Sequence, residues 1–189
     1  MIPATQIRNG MVIIHNDEPY KVVNFRFTMS GRGSNSIPVK LRSLITGQQA
    51  EVRFRSDDKV EKAYISEEEY EYLYADGDEY WFMNNESFEQ IALKKEDVED
   101  VIGYLLPNTG CKVQAYNGKP IGVIVPNTVQ LKVVETEPSI KGATASGNVP
   151  KPAKLETGIT VQVPMFVETG DIVIINTTTG EYQGRPGKQ

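Results

Sequence analysis

Cysteine and histidine are almost missing from this chain: Cys111 and His15 are the only ones among 189 residues. One cysteine excludes an internal disulfide. A solitary histidine with no cysteine cluster supplies neither a set of zinc ligands nor a base for a nucleophile. No apolar run approaches the roughly 20 residues that a membrane-spanning helix needs. The first residues, Met1-Ile2-Pro3-Ala4-Thr5, lack the basic and apolar regions of a secretion signal. The expected setting is therefore the cytoplasm, with no membrane partner. No catalytic constellation is visible either. The expectation is a protein that is not an enzyme and has no catalytic residue, metal or cofactor.

Long helical periodicity is equally scarce. Ser87-Phe88-Glu89-Gln90 is a weak helix start. From Lys94 to Leu106 the spacing puts Val98, Val101, Ile102 and Leu105 on one helical face, with Pro107 as the stop. Elsewhere short alternating runs are separated by turn signals at Asn16-Asp17-Glu18-Pro19, Thr46-Gly47, Asp76-Gly77-Asp78, Asn117-Gly118-Lys119 and Thr179-Gly180. Turns this closely spaced predict an all-β chain of small barrels or sandwiches. Hydrophobic content of 39% suffices for a core but is thin when several modules share it.

The net charge of −5 conceals a division along the chain. Residues 1–64 hold ten Lys/Arg against six Asp/Glu, residues 65–128 hold four against 13, and residues 129–189 hold six of each. The reversal near Tyr64 and the turn near Asn127-Thr128 predict three modules, 1–64, 65–128 and 129–189. The basic first third is the part suited to phosphate. The acidic middle would be repelled by RNA and should face solvent or a basic protein. Pro138 to Lys151, rich in Gly, Ser, Ala and Pro, reads as a long loop within the third module, with a linker between domains as the alternative.

In the basic third, Ser30-Gly31-Arg32-Gly33-Ser34 is a nearly side-chain-free loop with one arginine at its middle. Lys21-Val22-Val23-Asn24-Phe25-Arg26-Phe27 precedes it and Val39-Lys40-Leu41-Arg42-Ser43-Leu44-Ile45 follows, both alternating as half-buried strands do. The pattern predicts a hairpin whose only reaching group is the Arg32 guanidinium, a probe for a narrow site.

These residues, with Tyr72-Leu73-Tyr74, Phe82-Met83, Tyr116-Asn117-Gly118, Glu135-Thr136-Glu137-Pro138, Lys151-Pro152-Ala153 and above all the run from Gly158 to Gly170, give the chain a resemblance to bacterial elongation factor P over essentially its whole length. Gly180-Glu181-Tyr182 and Arg185 complete the pattern. The resemblance implies an SH3-like (KOW-like) N-terminal barrel followed by two OB-like barrels in an L that mimics transfer RNA. It implies a monomeric factor that binds the ribosome, its RNA and proteins, beside peptidyl-tRNA and relieves stalling at consecutive prolines. The first-domain loop would approach the tRNA acceptor end, and Ser30-Gly31-Arg32 resembles the subgroup in which a rhamnosyltransferase modifies the arginine. Family members often carry Gly-Asp-Thr in the third-domain loop that meets the tRNA elbow. This chain has Gly142-Ala143-Thr144, so recognition there would use backbone, Thr144 or Ser146.

Each nominated residue also has a plainer reading. Lys21, Arg26, Lys40, Arg42, Arg53 and Arg55 are candidate phosphate contacts as a set and an ordinary charged face taken singly. Tyr182 and Arg185 resemble residues near the small ribosomal subunit, though a tyrosine at a strand end is commonly a core cap. Cys111 reads as a small buried apolar residue, and Glu67, Glu68, Glu69 and Glu71 as solubilising charge. Trp81 with Tyr80 and Phe82 reads as core and edge packing rather than a base-stacking platform. Two competing identities remain: an elongation-factor-P-like paralogue of the same architecture, and a generic OB-type nucleic-acid binder, which the acidic middle disfavours.

Overall fold

The turn signals close hairpins. Asn16 and Asp17 have φ of 50° and 63°, the paired left-handed angles of a type I′ turn, and His15 pairs with Glu18 across the two-residue loop. Asn117 and Gly118 repeat the device with φ of 47° and 79°. The computed structural model describes residues 1–25, 36–139 and 149–187.

The first sheet contains β1 (Ile2–Pro3), β2 (Val12–His15), β3 (Glu18–Phe25), β4 (Ser36–Ser43), β5 (Gln49–Arg55) and β6 (Lys59–Lys62), in the order β1-β6-β2-β3-β4-β5. Alternate residues of β4 point inward, so Ile37, Val39 and Leu41 join Ala4, Ile7, Ile13, Val22, Phe54 and Val60 in one core. His15 lies edge-on to Tyr20 and Phe54, which gives the lone histidine a packing role. A register shift between Val22 and Asn24 leaves Val23 as a bulge on β3, 39% exposed.

The second sheet holds β7 (Ser66–Asp76), β8 (Glu79–Asn84), β9 (Gln90–Lys94), β10 (Gly110–Tyr116) and β11 (Lys119–Ile124), in the order β11-β10-β7-β8-β9. Tyr70, Tyr72, Phe82, Leu93, Cys111, Val113, Ile121 and Val123 are buried. The third sheet holds β12 (Thr128–Thr136), β13 (Lys151–Leu155), β14 (Thr160–Val163), β15 (Ile172–Asn176) and β16 (Tyr182–Gly184), in the order β14-β13-β12-β15-β16. Its core is Leu131, Val133, Ala153, Leu155, Val161, Val163, Val167, Val173 and Ile175. The chain divides into two compact units, residues 1–68 with 113–122 and residues 69–112 with 123–189.

Both helix expectations need correction. Lys94 to Leu106 forms only one α-turn, α1 (Lys95–Val98), and a 3-10 turn, Ile102–Tyr104. The Gly103 carbonyl accepts the Thr157 hydroxyl at 2.6 Å, and Tyr104 and Leu106 pack on the third core, so tertiary partners end the helix early. Ser87 to Gln90 is not helical. Asn84 Oδ1 accepts the Glu86 and Ser87 amides, and the Asn84 amide and carbonyl bond Glu89 and Phe88, closing a turn into β9.

Candidate nucleic-acid interface

Strand register decides which cations share a face. Residues directly opposite one another point to the same side of a sheet, and successive residues alternate. Lys21 lies opposite Arg42, Lys40 lies opposite Asn24 and Glu51, and Arg53 and Arg55 continue that row along β5. Val22, Val39, Leu41 and Phe54 face the core. Lys21, Lys40, Arg42, Arg53 and Arg55 therefore stand together on the face turned away from it, with Glu51 among them.

Their surroundings differ. Lys40, Arg53 and Arg55 are exposed. Arg53 Nη2 is 4.0 Å from Glu51 Oε1 with both side chains in solvent, an arrangement worth about 0–1 kcal/mol that leaves the guanidinium available. Arg42 is half-buried. Lys21 is engaged structurally: its Nζ donates to the carbonyl of Ile121 at 2.7 Å. Arg26, Ser30, Gly31, Arg32, Gly33 and Ser34, and Gly142, Ala143, Thr144 and Ser146 lie outside the described residues.

In the third module Tyr182 packs half-buried against the core. The Arg185 guanidinium sits 4.7 Å from the centre of the Phe166 ring and 3.6 Å from Asp171 Oδ2. Asp171 also accepts the Glu168 amide at 3.0 Å, which orients its carboxylate. The run from Gly158 to Gly170 is thus largely scaffold: Val161, Val163 and Val167 are core, and Phe166 is the platform for Arg185.

Among the described residues no group of three His, Cys, Asp or Glu side chains is placed to hold a metal. Glu67, Glu68 and Glu69 are exposed along β7, where Glu67 meets Gln114 at 3.5 Å and Glu69 meets Lys112 at 3.9 Å. Cys111 is buried, and burial first, then the Glu69 charge, pushes its thiol up to about 12. Phe82 is core, while Trp81 stacks on Tyr74 with centroids 6.1 Å apart.

Sequence reasoning missed three residues. Lys119 donates its Nζ to the Leu44 carbonyl, and Gly122 lies directly under Lys21 Nζ. Lys151, 2% exposed, donates to the Glu137 carbonyl, near two further ties: Thr136 Oγ1 to the Pro152 carbonyl at 2.9 Å and Ser139 Oγ to the Met165 carbonyl at 2.7 Å. Only Lys151 left a trace, because it shares the inward parity of Ala153 and Leu155. The other two depend on contacts 75 residues away for Lys119 and about a hundred for Gly122.

Residues 3–60 match the elongation factor P KOW-like domain, residues 65–123 the elongation factor P OB domain, and residues 129–185 the elongation factor P C-terminal domain. The chain is 48% identical over 185 residues to elongation factor P of Symbiobacterium thermophilum, covering 98% of this chain and 100% of that protein. It is 49% identical over 182 residues to elongation factor P of Moorella thermoacetica, covering 96% and 98%. Among solved structures it is similar to eukaryotic translation initiation factor 5A from Methanococcus jannaschii, at 17% identity and a TM-score of 0.41 over 65% of this chain and 92% of that one. Three successive domain matches and relatives of this identity over nearly full length leave one assignment: the chain belongs to the elongation factor P family, which are translation elongation factors and not enzymes.

Proposed function

We propose that the protein binds the ribosome beside peptidyl-tRNA and promotes peptide-bond formation at consecutive prolines by holding the tRNA acceptor end through Arg32. Proline is a poor partner because its ring fixes φ and restricts the preceding residue, which holds a stalled pair away from attack geometry. Orientation alone is worth roughly 7–11 kcal/mol in favourable systems, and each ~1.4 kcal/mol is tenfold in rate. A factor that restores part of that orientation restarts synthesis without moving a proton itself. A guanidinium suits the task because it stays charged and pairs with phosphate or stacks on a base.

The observation that carries this reading is the basic outer face of β3, β4 and β5. Lys40 and Arg42 lie on β4, which follows the Arg32 segment in sequence, and Arg53 and Arg55 lie on the neighbouring β5, so phosphate contacts along this face would seat that segment. We assign the working modules to residues 1–64, 65–128 and 129–189, acting as a monomer in the cytoplasm. Arg26 would extend the basic row, and Gly142, Thr144, Ser146, Tyr182 and Arg185 would serve third-module RNA contacts. Rhamnose on Arg32, added by a dedicated transferase, would lengthen the probe and supply hydroxyl groups. The decisive test is translation of a proline-run reporter with Arg32→Ala. Rescue is expected to vanish while the unfolding curve stays unchanged, and full rescue by that variant refutes the role. Mass spectrometry of the tryptic loop peptide reads the modification directly.

A further inference from the structure

The β10–β11 hairpin grips the β3–β4 hairpin at the root of both strands, through two lysines pointing in opposite directions. Lys21 on β3 donates its Nζ to the carbonyl of Ile121 on β11 at 2.7 Å, across 100 residues of chain. Lys119, at the start of β11, donates its Nζ to the carbonyl of Leu44, the residue after β4. All these residues belong to one compact unit.

The glycine beneath Lys21 Nζ marks this as a built contact. Lys21 supplies a charged donor to the Ile121 carbonyl on β11, the edge strand of its sheet. Position 122 is glycine and buried, and a Cβ there would come within 2.6 Å of Lys21 Nζ. An open cleft of about 480 Å³, lined by Ile14, Lys62, Tyr64, Tyr116 and Gly118 among others, lies between the β10–β11 turn and the chain around residues 61–66.

We propose that Lys21 and Lys119 form a reciprocal clamp that fixes the direction of the β3–β4 hairpin, making them positioning residues for Arg32, which lies between the two strands in sequence. The proposal rests on the role assigned to Arg32 and reassigns Lys21 from phosphate contact to strut. Its mechanism is geometric. A reaching group must be held within a fraction of an ångström of its productive position, and a small tilt at the root of a hairpin is magnified at its far end.

Gly122→Ala is the discriminating variant, because the new methyl displaces the flexible end of Lys21 without removing its charge. Two readouts are taken on the full-length factor: the rate of proline-run synthesis against factor concentration, and hydrogen exchange of the β10–β11 amides in the free protein. A clamp predicts that Gly122→Ala and Lys21→Met both lower the rate at saturating factor about tenfold. The half-saturating concentration should change less than twofold, the salt dependence should stay the same, and β10–β11 exchange should quicken about tenfold. Lys21→Arg, which keeps a donor, should restore most of the rate. If Lys21→Met instead raises the half-saturating concentration and flattens the salt dependence while Gly122→Ala is silent, Lys21 is a phosphate contact and the clamp is wrong. Unchanged exchange and rate in both variants also overturn it. Failure of the Arg32 role is read separately: full rescue by Arg32→Ala removes the tip's function, and the positioning role with it, whatever exchange shows.

Discussion

Thr157 donates its hydroxyl hydrogen to the carbonyl of Gly103 across 2.6 Å, and beside this bond the side chain of Ile159 occupies the place where a side chain at 103 would begin. An ideal Cβ on Gly103 falls 2.4 Å from Ile159 Cγ2. A β-branched side chain has few rotamers with which to escape. Gly103→Ala is therefore expected to destabilise by about 1–3 kcal/mol, the usual cost of overpacking, seen as a lower denaturant midpoint. A second substitution, Ile159→Ala, should recover part of the loss, and an unchanged midpoint in Gly103→Ala would show that the contact is slack.

The basic face makes a graded prediction. Removing Lys40, Arg53 or Arg55 singly should weaken ribosome binding and reduce the slope of log affinity against log salt by roughly one unit, as loss of one phosphate contact does. Ribosome pelleting across a salt series measures it. A residue whose removal leaves the slope untouched is plain surface.

Phe88 stands at φ 60° and is 69% exposed in the turn that Asn84 organises. A bulky side chain in the left-handed region costs about 1–2 kcal/mol. Phe88→Gly should raise the unfolding free energy by about 1 kcal/mol, after the entropy that glycine adds to the unfolded chain. Phe88→Ala keeps the backbone angle and should not stabilise. Equal stability of the two variants would mean that the turn bears no strain.

Cys111 predicts both reactivity and pH dependence. With its thiol pushed up to about 12, chiefly by burial and then by Glu69, the folded protein should resist thiol reagents at pH 8, while the denatured chain reacts fully. The folded state holds the proton that the unfolded chain releases near the ordinary value of 9. The thiol therefore leaves stability unaffected below about pH 9 and lowers it as pH rises from about 9 to about 12. The difference in stability between wild type and Cys111→Ala should be constant below about pH 9 and should change only in that window.

How much of this was legible beforehand follows from the range of each interaction. The paired left-handed residues at 16–17 and the Asn117-Gly118 dipeptide specify their turns locally, and strict alternation in β4, β13 and β14 already announces which side chains are core. The segment from 94 to 106 misled because its apolar spacing fits a helix, while the Gly103 carbonyl and Tyr104 bond and pack against residues 157 and beyond. Phe88 misled likewise, since only the bonds to Asn84 reveal the turn.

By itself, the order of residues determined the strands, most of their turns, the basic character of the first third and the family. Those depend on neighbours two to four places away and on motifs read in line. Tertiary structure alone decided that five scattered cations share one face, because strand register is set by pairing partners and by the bulge at Val23. It also decided that Lys21, outwardly one more surface charge, ends on the carbonyl of Ile121 above a glycine that leaves room for it. A hydrogen bond spanning 100 residues exists only once both sheets have formed, so no local pattern could encode it.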